Sequence, residues 1–210
     1  MKTLHVVSLL LIISMISGCD SESLVSPEES SDLSLELLTE EMYRAENAAM
    51  KSESNVYTFA TMEKVGSSNL TLRNNGVSFS IKSTQLIPGN AYTLWMAVFN
   101  NPEECGNDGC GAADLGNPDV QGDVLYSAGS LSGGTGKATF AGNRNAGDNS
   151  GSLFGPDAPG IIDTHKAEIH FVIRDHGPKI PGAIREQIST VGGGCDVNAC
   201  NDVQFSVHLP

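Results

Sequence analysis

The sequence is poor in aromatic residues (6%, with a single tryptophan) and poor in positive charge, with 12 Lys and Arg against 25 Asp and Glu. It has no Lys/Arg cluster. A net charge of −13 without a basic patch argues against nucleic acid as a partner and against attachment to anionic lipid by electrostatics. Several chemical signatures are also missing. There is no H-x-H or H-E-x-x-H, no C-x-x-C, no G-x-S-x-G elbow, no phosphate-binding glycine loop and no repeat of fixed period. These absences remove the common routes to zinc hydrolysis, thioredoxin-like exchange, serine hydrolysis and nucleotide binding. A blue-copper centre needs a free Cys near a His and a Met, and the dense histidine cluster of the Gly-rich copper–zinc dismutase sandwich is not here. No metal or cofactor is indicated by motif; a divalent metal ion is the one these side chains could take.

The apolar run from Leu4 to Ile16 in "MKTLHVVSLLLIISMISGCD" is too short for a comfortable membrane span. A basic start, a short apolar core and small residues before a cut point describe an export signal over residues 1–18. "ISGC" resembles the lipobox of bacterial lipoproteins. That resemblance implies that Cys19 becomes the first mature residue and the lipid anchor, and two or three acyl chains hold a protein to a membrane where one would not. Asp20 is associated with inner-membrane retention in enteric bacteria, but Ser21 is not its strongest companion. The expectation is an exported protein at the periplasmic face or cell surface, with the outer membrane favoured over the inner.

Residues 19–54 are Ser- and Glu-rich. From 20 to 54, ten acids face two bases, so this stretch supplies −8 of the net charge. High charge with few aromatics disfavours a packed core and describes a stalk. Leu33, Leu35, Leu37, Leu38, Met42 and Tyr43 permit one short helix within it, over about 33–50.

Residues 55–210 are enough for one domain with a sizeable core. Short alternating apolar runs separated by Gly-rich turns predict an all-β domain, an immunoglobulin-like or related sandwich of six to eight strands. In "NLTLRNNGVSFSIK", Asn75-Gly76 predicts a two-residue type I′ hairpin, with Leu72 opposite Phe79 and Leu70 opposite Ile81. "AYTLWMAVFN" is apolar on both faces, as expected of a central strand or one covered by a loop; a lone Trp95 there reads as core more readily than as a sugar platform. "DVLYSAGSL" and "GKATFAG" are expected to pair across "SGGT". "AEIHFVIRD" and "DVQFSVHL" complete the strands, leaving long loops at 100–122, 142–163 and 177–201.

Two of those loops carry the same C-x4-C spacing, Cys105 with Cys110 and Cys195 with Cys200. In an oxidising compartment two local disulfides are the favoured reading. A four-thiolate zinc site and a redox-active pair compete with it, although no helix N-terminus is evident to lower a thiol pKa.

The motifs "YTLWMAVFNNPEEC", "VLYSAGSLSGGTGKATFAG", "EIHFVIRDHGPKIPG" and "QISTVGGGC" resemble a group of exported bacterial lipoproteins of undefined function with a Gly-rich β domain. The resemblance covers most of residues 68–208 and implies the β-rich fold and the paired cysteines. It implies no catalytic residue.

The histidine-bearing strand carries the sharpest chemistry. Glu168, His170, Arg174 and His176 share one face by alternation, opposite Ile169, Phe171 and Ile173. Glu168 and His170 are close enough to share a metal. His176 is too far along to join directly, and His208, on its strand's polar face, could supply a third ligand if the strands adjoin. Asp114, Asn117, Asp119 and Asp123 are further oxygen donors, but their spacing fits no EF-hand. The competing reading is a solvated strand face of cross-strand pairs. Arg174, Lys179 and Arg185 could receive an anion or balance the acidic loops. The functional expectation is non-catalytic binding of an envelope protein or small ligand, or a structural role; the alternative is metal binding through His170, His176 and His208.

Overall fold

The computed structural model describes residues 49–106, 109–192 and 200–210. Cys19, the export signal, most of the acidic stretch with its candidate helix, and Cys195 lie outside them. The described chain forms eight strands: β1 Met50–Thr58, β2 Lys64–Arg73, β3 Gly76–Ser83, β4 Asn90–Phe99, β5 Gly122–Leu131, β6 Ala138–Asn145, β7 Glu168–Pro178 and β8 Asn201–His208. One short helix, α1, spans Ile184–Ser189. The strands make a single antiparallel sheet in the order β5-β4-β7-β8-β1-β2-β3-β6. It rolls until its edge strands β5 and β6 lie side by side, so the all-β sandwich is a flattened barrel that conceals its edges. No helix among the described residues is long and apolar enough to cross a membrane.

Alternation builds the core. Leu70 and Leu72 of β2, Phe79 and Ile81 of β3, Leu94 and Met96 of β4, and Ile169, Phe171 and Ile173 of β7 all point inward and are buried. Each such side chain contributes about 1.5–3 kcal/mol by leaving water. Strand β4 is buried on both faces, as its sequence requires. Its outward Ala97 and Phe99 pack with Val120 and Val124 in a second apolar cluster outside the barrel.

The β2–β3 hairpin forms, but not in the expected register. Leu70 faces Phe79 and Leu72 faces Val77, with Asn74 and Asn75 as the turn residues and Gly76 already paired to Arg73. Neither asparagine has positive φ, so the turn is not type I′. A slip of two residues keeps every side chain on its own face; hydrophobic pattern cannot detect it. Gly76 is needed for β6 rather than for the turn. A Cβ there would stand 2.4 Å from the carbonyl oxygen of Arg144.

Strands β5 and β6 also depart from expectation: they form no hairpin ladder. β5 pairs with β4, and β6 pairs with β3. Their connection is drawn off by other partners, since the Ser132 amide bonds to the Asn90 carbonyl and Leu86 to that of Gly136. The seam between the two edges is bridged by a side chain. The buried Arg144 guanidinium donates to the carbonyl of Tyr126 and to that of Ser150 at 2.8 Å.

Strand β1 begins at Met50, inside the stretch that composition assigns to the stalk. It reads as polar because it faces a polar part of the interior. Ser52 of β1, Ser68 of β2, Ser83 of β3, and Gln204, Ser206 and His208 of β8 line one inner wall. The polar side of β8 therefore faces in and Phe205 and Val207 face out, while Val203, beside a register shift in the β7–β8 pair, packs against the core cluster.

Candidate functional site

The outward apolar side of β8 continues across its neighbours. Two rows run over the sheet surface, Trp95–Val172–Phe205 and Ala97–His170–Val207, each contributed by β4, β7 and β8 in register. Phe59, just beyond β1, closes one end with its ring 4.7 Å from that of Phe205. The loop after β4 stands over the other side with Cys110, Gly111, Ala112 and Leu115. Together they enclose a cleft of about 440 Å³.

That loop is built to hold its position. Cys105 and Cys110 are disulfide-bonded. Asp114 accepts the amide of Gly106 at 3.0 Å and that of Gly111 at 2.8 Å, one carboxylate oxygen for each flank of the bridge. Asn100 donates to the carbonyls of Gln121 and Gly160 at 2.8 and 2.9 Å, joining this loop to the one before β7. Cys105, Cys110 and Leu115 pack on the outer cluster of Ala97 and Phe99. The wall is thus fixed by a covalent staple, a carboxylate cap and apolar packing.

Polar groups are few among the described lining residues: His170 in the middle of its row, Asp202, and the Trp95 indole N–H, which is buried with no partner among the described residues. His170 Nε2 lies 2.6 Å from Glu168 Oε1, both largely buried, with the imidazole against the Phe99 ring at 4.9 Å. At the other end the Arg174 guanidinium sits over the Trp95 ring, 4.6 Å from its centroid, and pairs with Asp202 at 2.8 Å. Cation–π stacking and an ion pair hold that cation in place.

The four candidate ligands are distributed differently from a metal centre. Glu168 and His170 are together. His176 is on the same outer face but six residues along, roughly 20 Å at strand rise, with its Nε2 2.6 Å from Thr93 Oγ1. His208 is inside the barrel, buried, between the hydroxyls of Ser52 and Ser68 at 2.8 and 2.7 Å. Burial, then the charge of His170, push its pKa down to about 4. Among the described residues no three His, Cys, Asp or Glu side chains converge on a point that could hold a metal ion. The loop oxygens serve the fold instead. Asn117 Oδ1 accepts the Asp119 amide, the Asp119 carbonyl accepts from Asn101, and buried Asp123 accepts Ser152, Val124 and Gly160. Of the three basic residues, Arg174 is committed to Asp202; Lys179 and Arg185 make no ion pair among the described residues.

Sequence reasoning missed the cleft itself. Its signal was present in the apolar stripe of β8 and in the two-faced β4, but alternation alone does not say which side of a strand looks inward. It also missed Trp95 as floor and Phe59 as rim.

No family model matches the chain, and no curated protein matches it in sequence. Among solved structures, a SOD-like protein from Bacillus subtilis is 15% identical, covering 77% of this chain and 100% of that one, with a TM-score of 0.38. A likeness of that size carries no argument about function.

Proposed function

We propose that this is an exported lipoprotein of the cell envelope, anchored through acylated Cys19 and favouring the outer membrane, whose β domain binds an apolar ligand or segment without catalysis. The observation that supports the binding role is the cleft: an outward-facing, mostly apolar floor on the sheet, walled by a stapled loop, with few polar groups among its described lining residues. Ligand sites are concave, mostly apolar and largely pre-formed. Among its described lining residues there is no serine, threonine or lysine; Cys110 is disulfide-bonded, and the one imidazole is engaged by Glu168. That lining suits holding rather than reacting.

Two experiments test the two halves. Labelled palmitate should enter the wild-type protein and not Cys19→Ala, and the variant should leave the membrane fraction; a Cys19→Ala protein that stays lipidated overturns the anchor. For the cleft, Trp95 is the only tryptophan, so its emission reports on the floor. Titration with dodecanoate below its micellar concentration should shift and saturate that emission. Val207→Glu, which places a charge on the floor, should abolish the response. An unchanged response in Val207→Glu overturns the assignment.

A further inference from the structure

The imidazole on the cleft floor has one nitrogen engaged and one to spare. His170 stands in the middle of its row, between Ala97 of β4 and Val207 of β8. Nε2 is held at 2.6 Å by Glu168 Oε1, and both side chains are largely buried. An ionised carboxylate only accepts, so Nε2 carries the proton, and a neutral ring then leaves Nδ1 as a bare acceptor. Phe99 packs its ring against the imidazole and offers it no hydrogen bond. Nδ1 has no partner among the described residues. It is not sealed off, since the buried side-chain N and O atoms without a partner there are Trp95 Nε1 and Ser206 Oγ. The spare nitrogen is therefore open to whatever occupies the cleft. Its surroundings are acidic. Glu168 lies behind the ring, Asp202 is already matched by Arg174, and no lysine or arginine lines the cleft among the described residues.

Resting on the reading of the cleft as a binding site, we propose that its ligand is an aliphatic chain with a neutral hydrogen-bond donor, in the simplest case a hydroxyl, which donates to Nδ1 of His170. Glu168 is then a positioning residue. It fixes the ring and its tautomer and does not itself line the cleft. The chain lies on Val172, Phe205 and Val207, and the hydroxyl sits where His170 interrupts the apolar floor. A donor is the complement that the bare nitrogen lacks, and few well-placed polar groups in an apolar recess are what set orientation and specificity. A carboxylate is the poorer head group. It has no proton to give, its lone pairs meet that of Nδ1, and its charge is brought toward Glu168 where little water screens the two. Such an anion is held by its chain alone and fills the cleft with lower affinity than the alcohol. An ether also lacks the donor and gains nothing from His170. The apolar area treats chains of one length much alike, so discrimination between head groups falls to the imidazole.

Decan-1-ol and 1-methoxynonane are isomers, and only the alcohol donates. Each is titrated against the full chain at pH 8.5, above the ordinary imidazole range, with Trp95 emission as the signal and decanoate run beside them. The alcohol should bind tightest. His170→Phe, which keeps a ring against Phe99 and removes Nδ1, should lower the alcohol-to-ether affinity ratio roughly three- to tenfold. Taking that ratio in both proteins cancels the unequal affinity of the two compounds for any apolar surface. A measurement on the wild type keeps the test decisive if the variant does not fold. In nitrogen-15-labelled protein the unprotonated nitrogen of His170 should be Nδ1, and its resonance should shift with the alcohol and not with the ether. An unchanged ratio, tighter binding of decanoate than of the alcohol, or a proton on Nδ1 in the free protein overturns the inference and leaves an apolar cleft. No emission change with any of the three compounds overturns the cleft reading and this one with it.

Discussion

His170 and His208 lie one register step apart on adjoining strands and on opposite sides of the same sheet. His170 is paired with Val207 and looks out onto the cleft; His208 is paired with Ile169 and looks into the barrel. Period-two alternation imposes this separation, and it divides the histidines between two tasks. One borders an apolar recess beside Glu168. The other closes the polar inner wall, its ring edge-on to Phe171 at 5.7 Å.

The inner histidine makes stability depend on pH. His208 is held neutral in the fold, at about 4 against an ordinary 6.5, while in the unfolded chain it takes up a proton near the ordinary value. Its contribution is complete above pH 6.5 and is lost as pH falls from there through 4. His176 is lowered in the same direction, by burial first. The His208 gap corresponds to about 3 kcal/mol at most. Urea midpoints should therefore fall between pH 7 and pH 4.5, and His208→Gln should flatten that slope while lowering stability at pH 7. An identical slope in the variant would remove His208 as its source.

On the same wall, Ser206 Oγ is buried with no hydrogen-bond partner among the described residues. An unpaired buried hydroxyl costs about 1–3 kcal/mol. Ser206→Ala should be neutral or should stabilise by up to about 1 kcal/mol, against clear loss for Ser68→Ala, which leaves the Nε2 of buried His208 without its partner. Equilibrium unfolding of the two variants decides it. Marked destabilisation by Ser206→Ala would mean the hydroxyl is bonded after all.

The seam between β5 and β6 depends on one side chain. Arg144 is buried, bonded to the Tyr126 and Ser150 carbonyls and paired with Asp148 at 3.2 Å. Arg144→Met leaves those acceptors unpaired and should cost about 3 kcal/mol or more, with amide exchange rising first in β5 and β6. Uniform acceleration across the sheet would contradict a local role at the seam.

The stapled wall should matter more to the cleft than to the fold. The Cys105–Cys110 bridge closes a very short loop, and the chain-entropy estimate for its removal is about 2 kcal/mol. Cys105→Ser with Cys110→Ser should lower the melting temperature modestly but weaken the dodecanoate response of Trp95 several-fold. Full retention of that response would show that the wall plays no part in binding.

Much of this was legible in the chain. Alternation placed Glu168, His170, Arg174 and His176 on one face, and the two-faced apolar run of β4 pointed to a central strand or one covered by a loop. Three features were not legible, each for a stated reason. The hairpin register slips by two residues, which conserves every facing and leaves no trace in hydrophobic pattern. Strand β1 reads as stalk because it is largely polar, and its Ser52 serves a histidine 156 positions away while Val56 alone joins the buried core. Strand β8 shows its two faces plainly, but barrel closure alone decides that Gln204, Ser206 and His208 go inside. The cleft follows from that inversion, so local reasoning could not reach it.

The most direct measurement is of side-chain methyl shifts during titration with dodecanoate. If the outer face of β4, β7 and β8 is the binding floor, the methyls of Leu115, Val172 and Val207 should move together and saturate. Those of Ile169 and Ile173, on the inner face of the same strand β7, should stay fixed. Shifts confined to the inner methyls, or none at Val172 and Val207 while ligand binds, would contradict the account.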